Sequence, residues 1–346
     1  MSRNTPVRLS VLDLSPVPSG SSSADALRNT LDLARFADEL GYERYWLAEH
    51  HNTPLIASSS PEVMIGHVAS VTKRIRVGSG GVMLPNHAPL KVAETFRMLE
   101  ALHPGRIDLG IGRAPGTDQL TAFALRRSRA AITAEDFPEQ LAELLAFFSG
   151  RFPDNHPFRR ITAIPAGIQT PQIWLLGSSD FSASLAAELG LGFAFAHHIS
   201  PTPTFEALRI YYERFRPSAY FSEPKSMLAV SVICAETDDL AEELASSADL
   251  VLLRFQRGNF SGTLPGVAEA RAYPYTDFER EIIRANRARL FVGSPATIRN
   301  RLLRFAEQAG VGEIMITTMI HDHEARRRSY ALLASAFALS SKALAS

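Results

Sequence analysis

Short, continuously apolar runs alternate with longer segments of helical period along most of the chain. The runs begin near Arg8 (RLSVLDL), Tyr45 (YWLAEHH), Ile75 (IRVGSGGVML) and Arg106 (RIDLGIG). A second set begins near Gln172 (QIWLLGSS), Gly192 (GFAFAHH), Met227 (MLAVSVICAE) and Glu313 (EIMITTMIHD). The first four starts are spaced by roughly 30 to 40 residues, the length of one strand–helix–strand unit. Most runs do not alternate apolar with polar positions, which predicts parallel strands covered by helices. The helices between them have legible ends. Ser21 to Ser23 offer a cap for a helix whose stripe is Leu27, Leu31, Ala34 and Ala37, widened by Leu33, Phe36 and Leu40, with Gly41 as its stop. Ser60-Pro61 and Ser294-Pro295 read as caps followed by a first-turn proline. The second of these opens a helix with Ile298, Leu302, Phe305 and Ala309 inward, ended by Gly310. The pattern predicts an α/β fold, a (β/α)8 TIM barrel forming one domain over residues 1–346, with insertions after strands 4 and 7.

Those insertions span Arg113 to Thr170, with a helix over Pro138 to Phe148, and Thr237 to Leu290, with a polar stretch from Arg257 to Ala272. Both follow strands at the end where barrels carry their sites, so both are candidate walls or lids, or else passive insertions. The tail from Glu324 is rich in Ala and Leu and predicts a closing helix.

Composition narrows the function. With 46% apolar and 21% charged residues the chain has globular, not disordered, composition. Its 36 basic and 36 acidic side chains cancel, which argues against nucleic acid as a partner. The lone Cys234 excludes an intrachain disulfide and a thiolate zinc cluster. No run approaches the roughly 18 apolar residues of a membrane span, and Met1 to Pro6 is polar and short, so a cytoplasmic protein is expected.

Candidate chemistry gathers at the strand ends. Strand two runs into Glu49, His50, His51 and Asn52; adjacent strand residues face opposite ways, so only one of the two histidines can face the mouth. A histidine there is either a proton-handling or ligand contact, or part of a strand-end hydrogen-bond layer. Gly78, Gly80 and Gly81 interrupt strand three, where either a flat ligand or a tight corner would require them. Gly110-Ile111-Gly112-Arg113-Ala114-Pro115-Gly116 has the spacing GxGxxxG, a poor match to the dinucleotide fingerprint. Arg113 is more informative, because a guanidinium at a strand end suits bidentate phosphate recognition. Strand five ends in Gly177, Ser178, Ser179, Asp180, Phe181 and Ser182, hydroxyls at a helix start that suit an anion. His197-His198 and His321-Asp322-His323 close strands six and eight; a metal centre there finds little support in the order of the motifs. Phe195, Met83 and Met319 are expected to make the mouth apolar.

WLAEHHN, IRVGSGGVMLPNHAPLKVAE, LHPGRIDLGIGRAPG, the Gly177-Ser-Ser turn with AAELGLGFAFAHH, and the closing VGSP and EIMITTMIHDH occur in that order. Together they make a chain that resembles the bacterial luciferase-like flavin monooxygenase family over nearly its whole length. It is more similar to the single-type bacterial monooxygenases than to luciferase itself. The resemblance implies a barrel holding FMN, or in some branches deazaflavin F420, at its C-terminal mouth. It implies an active-site role for His50, a non-prolyl cis peptide behind the flavin at Gly80-Gly81, and phosphate binding by Arg113 with Gly177, Ser178, Ser179 and Ser182. The residue before the arginine is a reactive cysteine in luciferase and Gly112 here, which argues against aldehyde-dependent light emission.

The implied reaction uses reduced FMN, supplied by an NAD(P)H:flavin reductase, and O2 to oxygenate a small, hydrophobic organic substrate through a C4a-(hydro)peroxyflavin. Two alternatives stand beside it. One is F420-dependent hydride transfer on the same fold, for which Arg126, Arg127 and Arg129 are available to an anionic tail. The other is a non-catalytic luciferase-like subunit. The family also implies a homodimer.

Overall fold

The computed structural model describes residues 6–127 and 136–340. Its strands are β1 (Arg8–Asp13), β2 (Arg44–Leu47), β3 (Arg76–Ser79), β4 (Val82–Met83), β5 (Ile107–Gly112), β6 (Gln172–Gly177), β7 (Gly192–Ala196), β8 (Ser226–Cys234), β9 (Leu290–Gly293) and β10 (Glu313–Thr317). Neighbours pair in the order β10-β1-β2-β3-β5-β6-β7-β8, and β10 also pairs with β8, so eight parallel strands close into a barrel. Helices α1 (Ser23–Leu40), α2 (Pro61–Val71), α3 (Pro89–Leu102), α4 (Gln119–Arg126), α5 (Phe137–Ser149), α6 (Asp180–Glu188) and α7 (Thr204–Arg214) follow successive strands. Then come α8 (Asp238–Gln256), α9 (Val267–Ala272), α10 (Asp277–Asn286), α11 (Pro295–Ala309) and α12 (His323–Ala336). The (β/α)8 barrel expected from the alternation of runs is therefore the fold.

Two strands were not legible. The short β4 continues β3 past Gly80 and Gly81 and pairs with β5 at Val82↔Ile111. The other, β9, lies along the upper half of β8, from Ser231↔Leu290 to Cys234↔Gly293. Ser231 also pairs with Thr317 of β10, so β9 must use the opposite edge of β8, the one β7 uses as far as Ala229. It takes over that edge where β7 ends. Four residues leading into a helix carry no period by which to recognise a strand.

Helix ends follow the chemistry. Ser22 caps α1 in a reciprocal capping box with Asp25, and Gly41 ends it in a left-handed conformation, φ 88°. The deepest face is Ala26, Thr30, Leu33, Ala34 and Ala37, rotated from the expected stripe, so Leu27 and Leu31 sit at its margin. Ser60 and Ser294 precede first-turn prolines but make no side-chain capping bond.

Period two sorts the barrel strands. Outward residues such as Val11, Leu47, Val77, Leu109, Leu175 and Phe195 pack under the helices in the main core. Inward residues Leu12, Trp46, Trp174, Ala194, Met227, Ala229 and Met315 form a separate cluster that plugs the barrel. The two tryptophans meet edge to face, 5.8 Å between ring centroids. Glycines give them room. A Cβ on Gly78 would lie 2.8 Å from Trp46 Nε1, and one on Gly192 would lie 2.5 Å from the Trp174 ring.

Below the plug, at the N-terminal end, lies a layer of paired charge. Arg44 donates to Glu313 at 2.8 Å and to Asp108 at 2.7 Å, all three buried. Arg76 reaches the other oxygen of Asp108, and Ser10 donates to Glu313. At the other end of β1, on its outer face, Arg326 of α12 and Tyr45 both bind the buried Asp13 carboxylate. Burial alone would raise the Asp13 pKa, but Arg326 and Tyr45 outweigh it and hold it low.

Candidate active site

Above the plug the inward rows continue into the mouth. On β2 the row Arg44, Trp46 leads on to His50, while Glu49 and His51 take the other side. His51 Nε2 bonds Glu49 at 3.0 Å, so of the two adjacent histidines His50 is the one released to the mouth. Its backbone N–H is held by Ser58 O at 2.9 Å, and that of His51 by Gly116 O at 3.2 Å. Burial pushes the His50 imidazole below its ordinary pKa, so it is neutral near pH 7.

Glu49 ties this corner together. Its fully buried carboxylate accepts from His51, from His87 Nε2 at 3.0 Å and from the backbone N–H of Met83 at 2.9 Å. Burial alone would raise its pKa, yet the hydrogen bonds from His51 and His87 hold it at about 2. Burial likewise works against charge on His87, and Glu49 overrides it, leaving the His87 pKa raised. The Glu49–His87 pair welds the end of β2 to the turn after β4. Sequence reasoning noted Glu49 as polar and passed over His87, whose only signal was its place just beyond the glycine run.

The peptide between Gly80 and Gly81 is cis, as the resemblance implied. The chain's own packing demands both glycines. A Cβ would meet Leu12 Cδ1 at 2.6 Å from Gly80, and the Gly110 carbonyl at 2.9 Å from Gly81. Gly110 in turn abuts Ser79 O, at 2.1 Å from a Cβ. Gly80 remains partly open, so this side of the mouth is bare backbone beside Leu176. Gly110 and Gly112 lie within β5 rather than in a turn, which is why the dinucleotide spacing fails.

Arg113 leaves the end of β5 exposed, its guanidinium 4.5 Å from the centre of the Phe181 ring in the first turn of α6. No carboxylate pairs with it among the described residues. Ser178 and Ser179 are half-buried beside it, and Ser179, the N-cap of α6, makes no side-chain capping bond. Ser182 is buried instead, with its Oγ 2.3 Å from where a Gly177 Cβ would stand. Asp180 is exposed. An unpaired guanidinium, two uncommitted hydroxyls and the open amides of a helix N-terminus form a donor set that fits a phosphate monoester. The bare glycine backbone and Leu176 fit the face of a planar ring. The residues present thus suit FMN.

The remaining histidines divide. His197 faces outward, bonded to Thr204 at 2.8 Å and packed 4.7 Å from the Phe305 ring centre. His321 binds Ser19, and His323 binds Asp32 at 2.8 Å. Among the described residues no group of three or more His, Cys, Asp or Glu side chains has an arrangement that could hold a metal ion. His198 follows the inward row. Phe195, expected at the mouth, is instead in the outer core, because 194 and 196 hold the inward parity of β7. Met319 does line the mouth, with Leu14, Leu55 and Leu264. The second insertion supplies that last residue: Leu264 pairs with the loop after β1 through Val17 and Ser19, making a fixed wall. Cys234 closes β8 buried, its thiol pushed up to about 12 by burial. No helix among the described residues is long and apolar enough to cross a membrane.

The structure defines a (β/α)8 barrel with open polar groups at its C-terminal mouth, and comparison makes the assignment specific. The model of the luciferase-like monooxygenase family matches residues 7–313, and the chain belongs to that family. A luciferase-like monooxygenase of Escherichia coli (strain K12) is 42% identical over 326 residues, 94% of this chain and 96% of that protein. The N-acetyl-S-alkylcysteine monooxygenase of Bacillus subtilis (strain 168) is 37% identical over 332 residues, 95% and 98% of the two chains. Among solved structures, apo-MsnO8 superposes with a TM-score of 0.88 at 41% identity, covering 97% of this chain and 99% of that one.

Proposed function

We propose that the protein is an FMN-dependent monooxygenase acting on a small organic substrate with an apolar portion. The observation that carries this reading is the approach of Arg113 to the first turn of α6, beside the unengaged Ser178 and Ser179 and the glycine-lined mouth. When bound, reduced FMN supplies two electrons, so that one atom of O2 enters the substrate and the other leaves as water. The chain's residues do the rest. Arg113, Ser178 and Ser179 hold the phosphate, and Gly177 with Ser182 shapes that turn. Gly80 and Gly81 support the ring. His50, neutral and bonded to no carboxylate among the described residues, would orient the reacting group beside the ring or hold a proton there. Leu14, Leu55, Leu264 and Met319 keep the mouth dry. An S-alkyl thioether, as in the substrate for which the Bacillus subtilis relative is named, has the size and softness such a wall accepts.

The test is anaerobic titration with reduced FMN followed by a pulse of O2. Tight binding and a transient near-ultraviolet absorbance are expected; failure to bind reduced or oxidised FMN sinks the proposal. The same titration with F420 decides the hydride-transfer alternative. Of the cationic residues that alternative would use, Arg126 donates to Asn86 at 3.0 Å, Arg127 is exposed at the end of α4, and Arg129 lies outside the described residues. Binding without O2 consumption would favour the non-catalytic subunit. Reduced FMN would come from a separate NAD(P)H:flavin reductase, and addition of one should sustain turnover from NAD(P)H. Homodimerisation is supported by Val63 of α2 with Met98 and Leu102 of α3, exposed at 57%, 54% and 70%, and sedimentation tests it.

A further inference from the structure

The inward residues Ala194 of β7 and Trp46 of β2 belong to the same plug inside the barrel. His198 lies in the turn just past the end of β7 and His50 just past the end of β2, each four residues beyond its plug residue. The neighbouring His197 packs outward against Phe305, while His198 bonds to Ala229, a member of the plug cluster, at the strand end. The His198 side chain is fixed. Its backbone N–H and its ring Nδ1 both bond the carbonyl of Ala229, at 3.2 and 3.1 Å. A carbonyl only accepts, so Nδ1 carries the hydrogen. Burial holds the ring pKa down at about 4, so the imidazole is neutral and Nε2 is a bare lone pair. Nε2 has no hydrogen-bond partner among the described residues.

The other charged group near this ring does not supply a donor. Arg289 gives its hydrogens to Ile199 O at 3.2 Å and Asn286 Oδ1 at 2.6 Å. His197 is committed to Thr204 on the far side of the strand. Whatever occupies the mouth must therefore satisfy Nε2 or leave it desolvated, at a cost in affinity.

We propose that His198 Nε2 is the acceptor that orients the substrate, and that the substrate carries an N–H or O–H donor, such as a secondary amide or hydroxyl, beside its apolar portion. His50 and His198 then have different tasks: the first faces the reacting group, the second reads the substrate. This rests on the flavin reading only in setting the substrate over the mouth. Esters, ketones and plain hydrocarbons are disfavoured because they offer no donor.

The test uses the full chain and two probes that differ in one donor, N-benzylacetamide and N-benzyl-N-methylacetamide. Binding of each is measured by calorimetry with and without saturating oxidised FMN. The secondary amide should bind about 10-fold tighter or better in wild type. The preference should vanish in His198→Phe and partly return in His198→Gln, whose side chain again offers an acceptor. Nitrogen-15 NMR of histidine-labelled protein should show His198 neutral, protonated at Nδ1, with Nε2 shifting only on addition of the secondary amide. Equal binding, no binding of either probe, a preference that survives in His198→Phe, or a proton on Nε2 overturns the proposal. FMN affinity is read separately: its absence defeats the flavin reading, while the histidine spectrum still judges His198.

Discussion

The two ends of the barrel interior are built from the same inward rows and treat polar groups in opposite ways. At the N-terminal end Arg44, Arg76, Asp108 and Glu313 are driven together until each buried charge has an opposite partner. At the mouth Arg113 pairs with no carboxylate among the described residues, Ser179 makes no side-chain capping bond, and His50 and His198 are neutral rings. A buried charge without a partner is too costly to keep, so the lower layer closes on itself. Unfilled hydrogen-bonding capacity persists at the mouth because water or a ligand can fill it. Stability and function are thus separated along one axis, with the tryptophan pair between them.

The largest break in that contrast should come from Arg44→Ala. It leaves Asp108 with Arg76 as its only cation and takes from Glu313 its buried guanidinium, and should cost about 3–5 kcal/mol in urea unfolding, as removal of one partner of a buried pair does. Next, His50→Asn should lower turnover by about 10²- to 10⁴-fold, the usual contribution of a proton-handling group, with the unfolding midpoint unchanged. An equal loss of stability would place His50 in the structural class instead. Arg113→Ala should then weaken FMN binding by about 10- to 100-fold in a fluorescence titration, in line with the worth of a charge-assisted contact, and again leave stability alone. A stable variant with undiminished FMN affinity would remove Arg113 from the phosphate site.

The smallest effect sharpens the comparison, because Glu49–His87 is a paired charge at the unpaired end. Glu49 is depressed to about 2, so its contribution is present above the ordinary carboxylate pKa and is lost as pH falls toward that value. His87 is raised, so its contribution is full below the ordinary histidine pKa and is lost as pH rises through the elevated one. The stability difference between wild type and Glu49→Gln should therefore be greatest near pH 5–6, on the order of 1 kcal/mol, and shrink on both sides. A difference that is flat from pH 4 to 9 would mean the pair is not ionised.

Much of this was legible in the order of residues. Continuous apolar runs alternating with helical segments marked the eight barrel strands, since a parallel strand buried on both faces needs no polar alternation. Strand parity required that one of His50 and His51 be turned away, and the order of strands predicted that Arg113 and the serine turn are neighbours, as its guanidinium over Phe181 shows. What could not be read depended on partners far along the chain. Glu49 gains its meaning from His87 and Met83, and Arg44 from residues 108 and 313. Phe195 was assigned to the mouth because composition does not reveal which parity faces inward; Trp174, packed against Gly192, decides it. The strand β9 exists only because β7 leaves an edge of β8 unpaired.

The sequence by itself determined the period, the element types, the closure of eight units and the residue types available at their ends, because these follow from local sterics and from which side chains avoid water. Only the tertiary structure decided which of those ends are spent on one another and which stay open. That choice turns on distances between residues remote in the chain, and a buried polar group is silent or reactive according to whether such a neighbour reaches it.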